Sequence, residues 1–99
     1  MFRGTTPIIK FSFPFDFTNV NKIYITFAQN KKIVLEKDIS AISFLNSTIS
    51  LPLSQVETLL FSDMAKIEMQ IRFTTLDGMS VASDIICTTV SEILKDGEI

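Results

Sequence analysis

The chain has 99 residues, 46% of them hydrophobic and 20% charged, with a formal net charge of −2. That length allows one domain and hardly two. No run approaches the ~18–20 apolar residues of a membrane-spanning helix, and the scattered basic residues form no stripe for a phosphate backbone or an anionic membrane surface. With one cysteine and no histidine, an internal disulfide, Ser-His or Cys-His nucleophilic pairs and His-ligated metal sites are excluded as well.

In chain order, Met1 to Thr5 has no apolar h-region, so a signal peptide is not expected. Ile9, Phe11 and Phe13 then alternate with Ile8, Lys10 and Ser12, as in a half-buried strand that ends or turns to a sheet edge at Pro14. Phe15 and Phe17 continue the alternation past that proline, where they are candidates for docking another chain. Residues 16–21 read as a loop. Lys22 to Ala28 is a β-branched, aromatic strand with Ile23, Ile25 and Phe27 pointing inward. Gln29-Asn30-Lys31-Lys32 forms a hairpin tip with Asn30 at positive φ, and Ile33 to Glu36 returns. A connection from Asp38 leads to a weak strand over 41–44, and Thr48 to Leu53 places Ile49, Leu51 and Leu53 on one face.

The period then changes. Ser54 and Glu57 fit a capping box, which predicts a short helical turn over residues 54–61. Lys66 to Phe73 alternates cleanly, with Ile67, Met69, Ile71 and Phe73 buried against a solvated opposite face. Asp77-Gly78 turns the chain into a long strand over 79–90, where adjacent Ile85 and Ile86 require a bulge near Asp84. Cys87 lies in this apolar run and is expected to be a small buried hydrophobe. Residues 92–99 read as a C-terminal tail after a domain spanning 1–91, with Ile93, Leu94 and Ile99 as further candidate docking residues.

These elements predict an all-β fold, an immunoglobulin-like antiparallel β-sandwich of about seven strands with one helical turn. No catalytic residue, cofactor site or metal site is expected. The apolar content, high for so small a domain, points to apolar surface kept for a partner. The runner-up is a ligand- or glycan-binding sandwich module of a receptor-binding apparatus. Sugar stacking is disfavoured by the absence of tryptophan and the single tyrosine, Tyr24.

The block from Thr48 to Phe61, followed by Ala65 to Phe73, resembles small prophage-encoded β-domains related to the N-terminal immunoglobulin-like domain of phage baseplate upper proteins. Asp77-Gly78 and Ala82 to Ile86 fit the same pattern. The hairpin tip departs from it, because Lys31 stands where a glycine is expected. The resemblance implies a virion protein, tail- or baseplate-associated, made in the bacterial cytoplasm and acting without catalysis. It implies docking to other tail or baseplate proteins or to itself, and no nucleic-acid or membrane partner.

Overall fold

The computed structural model describes residues 1–12, 19–45 and 47–99. Its strands are β1 (Ile8–Ser12), β2 (Val20–Gln29), β3 (Lys32–Asp38), β4 (Ser43–Leu45), β5 (Thr48–Pro52), β6 (Ile67–Thr75), β7 (Ser80–Ala82) and β8 (Ile86–Thr88). One helical turn, α1 (Gln55–Leu59), joins β5 to β6.

The strands form two antiparallel sheets. One has the order β1-β5-β4; the other has the order β3-β2-β6, with β7 and β8 both pairing with β6. Matched against the immunoglobulin fold, these are the B-E-D and C′-C-F-G sheets. Phe2 adds an isolated parallel bridge to Ser91, in the place of strand A′.

The inward residues are those the alternation predicts. Ile23, Ile25 and Phe27 from β2 face Ile49 and Leu51 from β5, flanked by Ile67, Met69, Ile71 and Phe73 from β6. Most of these are fully buried, each stabilising the fold by roughly 1.5–3 kcal/mol. Phe61, just after α1, closes one end of the sandwich with its ring 5.8 Å from that of Phe27, tilted at 59°.

Two local devices set the register. At the β2–β3 hairpin, Asn30 and Lys31 both take positive φ, 52° and 64°, while Gln29 pairs with Lys32. Positive φ at both central residues is the type I′ geometry, which fits the right-handed twist of the strands. The returning strand expected over 79–90 is split. Arg72 pairs with Ala82 and Met69 with Ile86, so three steps along β6 match four on the partner, and one residue bulges out. The Ser83 hydroxyl fills the gap by accepting from the Ile71 amide at 3.0 Å. The bulge expected near Asp84 is therefore present.

It also corrects the expectation for Cys87. That residue lies opposite Glu68 on the outer face of β8 and is exposed. An edge strand of three residues has no second layer over its outer side.

Candidate docking surface

Strand β1 is an edge. Its ladder to β5 runs Ile8↔Pro52, Ile9↔Leu51 and Phe11↔Ile49, and the Leu53 amide donates to the Pro7 carbonyl at 3.0 Å. Hydrogen-bonded pairs alternate along an antiparallel ladder. Pro7, Ile9 and Phe11 therefore bond inward to β5, while the backbone groups of Ile8, Lys10 and Ser12 point away from the sheet. Among the described residues no strand lies on that side, which is where strand A of an immunoglobulin sandwich would pair.

The same edge opens a cleft of about 370 Å³ between the sheets. Its lining is almost wholly apolar: Phe2, Pro7 and Ile9 on one side, Ile67 and Met69 on the other, with Phe27 at the floor. Beside it stand Ile8, 62% exposed, and Phe2, 56% exposed. Ile86 shares the inward face with Met69 yet remains 42% exposed, because no opposing strand covers it.

Residues 1–5 run between this cleft and the C-terminal segment. Arg3 is held there by α1: its Nε donates to the Phe61 carbonyl at 2.6 Å and its Nη2 to the Leu59 carbonyl at 3.1 Å. A cation on the last carbonyls of a helical turn satisfies acceptors that the helix itself leaves open. Thr58, buried, donates to the Thr5 carbonyl at 2.9 Å. Gly4 has φ +70°, and a β-carbon there would stand 3.0 Å from Ile93 Cδ1 and 3.3 Å from Leu59 Cδ2. Glycine is required at this crossing on both counts.

The five candidate docking residues divide accordingly. Phe15 and Phe17 lie outside the described residues. Ile93 is half-buried and turned toward Gly4 and Leu59. Leu94 and Ile99 are 97% and 91% exposed. The Ile99 backbone is tied to α1, its amide donating to Gln55 Oε1 at 2.8 Å and its carbonyl accepting from Gln55 Nε2 at 3.0 Å. Asp96 lies 3.6 Å from Arg3. The segment is thus positioned along α1, with Leu94 and the Ile99 side chain presented outward. The edge position of β1 was one of the two expectations drawn from Pro14, but the cleft had no distinct signal in the sequence, since an apolar residue lining a gap alternates like one that fills a core.

Among the described residues two carboxylates have shifted titration, and both serve the fold. Partial burial pulls the Glu57 pKa upward, but the Lys37 ammonium and the Ser54 amide outweigh it and hold the carboxyl below its ordinary value. Asp38 is lowered by the hydroxyl and amide of Ser40, which it caps. Comparison with protein-family models, with curated proteins and with solved structures finds no match to this chain.

Proposed function

We propose that the chain is a non-catalytic structural module that docks to other protein chains, accepting a strand or apolar segment at the open side of β1. The observation that carries this reading is the coincidence, on one edge, of three outward-facing backbone positions and an apolar cleft. A strand laid beside β1 would satisfy the backbone groups and bury the cleft lining together. That is the logic of recognition by strand addition, in which backbone bonds supply affinity and side-chain pockets supply specificity. Lys10 in the middle of the edge discourages indiscriminate pairing, as charged residues on edge strands do. The lack of histidine supports a role without acid–base or nucleophilic catalysis. The resemblance of residues 48–61 and 65–73 to baseplate domains supports a phage tail or baseplate as the assembly.

The test is pairwise co-expression of the chain with the product of each neighbouring gene, read by co-purification. A tail or baseplate protein is expected to co-purify in fixed stoichiometry. Lys10→Pro removes one outward amide without touching the β5 ladder, and is expected to lose the partner while remaining folded. If no neighbour product binds, or if the proline variant binds as well as the parent, the proposal fails.

A further inference from the structure

The outer face of the larger sheet carries a second concavity, remote in character from the apolar cleft. It measures about 300 Å³ and is lined chiefly by Lys22, Tyr24, Thr26, Glu36, Arg72 and Ser80. That volume is at the lower end for ligand sites and suits a single ring.

Its floor is ordered by strand register. Tyr24 lies between Asp38 on β3 and Arg72 on β6; Thr26 lies between Glu36 and Gln70; Lys22 lies opposite Thr74. Tyr24, the one tyrosine of the chain, is 44% exposed. The Thr26 hydroxyl donates to Glu36 at 3.1 Å and fixes that carboxylate at the rim. The side chains of Lys22 and Arg72 make no hydrogen bond or ion pair among the described residues. Two unpaired cations, an anchored carboxylate, several hydroxyls and an exposed ring therefore line one concavity.

The combination narrows the chemistry. A phosphate or other compact anion would use the cations but leave the Tyr24 ring and most of the hydroxyls idle. A neutral sugar would use the ring, the hydroxyls and Glu36, leaving both cations idle. A sugar ring bearing a carboxylate uses all of them. Its carboxylate pairs with Arg72, whose fork matches two oxygens, and with Lys22. Its hydroxyls donate to Glu36, and its C–H face lies on the Tyr24 ring. We infer that this concavity is a binding site for an acidic saccharide, a uronic or sialic acid residue. The site is independent of the β1 edge, so either reading can stand without the other.

The test uses the full-length, ¹⁵N-labelled protein titrated with N-acetylneuraminic acid and with methyl glucuronide. The expected result is saturable amide shifts confined to β2 and β6 around Tyr24 and Arg72, with dissociation constants on the order of 1–10 mM. Methyl glucoside, which lacks the carboxylate, should bind roughly tenfold more weakly. Arg72→Gln should abolish that preference and leave the weak neutral binding unchanged, whereas Tyr24→Leu should lose both sugars. Each variant must keep the dispersed spectrum of the parent, and Lys22→Gln, which should narrow the preference, serves if either unfolds. Any one of three results overturns the inference: no shift at about 50 mM ligand, well above the expected range; the same shifts with acetate or glycine; or equal affinity for acidic and neutral sugars.

Discussion

At Gln29 a single amide ties the hairpin of β2 and β3 to the turn after α1. Its Nε2 donates to the carbonyls of Ser62 and Ala65, at 2.7 and 3.0 Å, and its Oε1 accepts from the Ser62 amide at 2.9 Å. The side chain is 7% exposed. Gln29→Leu would leave two carbonyls and an amide without their present partners in a partly buried site, and should cost about 1–2 kcal/mol in urea unfolding. Gln29→Glu should be no better, because a carboxylate would face those two carbonyl oxygens with nothing to donate. Nothing in the sequence marks this role, since a glutamine beside Asn30-Lys31-Lys32 reads as an exposed turn residue. Lys31 is the opposite case. Its φ of 64° is strained for a residue with a β-carbon, and a type I′ turn favours glycine at this position. Lys31→Gly should raise stability by about 0.5–1 kcal/mol, seen as a higher urea midpoint with an unchanged slope.

At the scale of elements, α1 has five residues, too few to persist by themselves. Ser54 and Glu57 close a capping box around its first turn, and Lys37 from β3 pairs with Glu57 across the end of the sandwich. Because the Glu57 pKa is lowered on folding, its contribution is fully present above the ordinary glutamate value of 4.5 and is lost as pH falls through the folded value. Comparing the parent with Glu57→Gln should therefore give a stability gap at pH 7 that closes on acidification below pH 4.5. A gap that persists at low pH would mean that packing, not charge, carries the effect. This element was legible because S-x-x-E is a local signal, as were β2 and β6, each of which alternates over a full strand buried on one face. β7 and β8 were harder. The one-residue bulge at Ser83 flips the facing of everything after it, so the apolar neighbours of Cys87 disclosed its strand but not its side.

For the whole molecule, the two chain ends meet. The Met1 amine donates to the Thr89 carbonyl at 2.9 Å, and the Ser91 and Arg3 amides bond across the parallel bridge at 2.7 and 3.3 Å. Beyond that bridge only Ile93 packs inward. Truncation after Ile93 should thus cost less than about 1 kcal/mol, since the contacts removed are exposed. Truncation after Glu92 should cost about 1–2 kcal/mol, because it strips the apolar cover from Gly4 and Leu59. Thermal denaturation of the two shortened chains distinguishes these outcomes. The sandwich was readable from the sequence because one period of two recurs in most strands. The cleft beside β1 was not, because a gap is defined by side chains that fail to fill it.

The bridge between Phe2 and Ser91 also places a clock on biosynthesis. The chain emerges with Phe2 before its partner Ser91, which lies beyond all eight described strands in sequence. Strand β1 can pair once β5 is made, and β2 once β3 is made, but the bridge of Phe2 must wait for Ser91, and contacts of such long sequence separation form slowly. During that interval Phe2 is in water and the cleft it lines lacks that cover. The nascent chain should be a better substrate for cellular chaperones until Ser91 has emerged and the bridge can form.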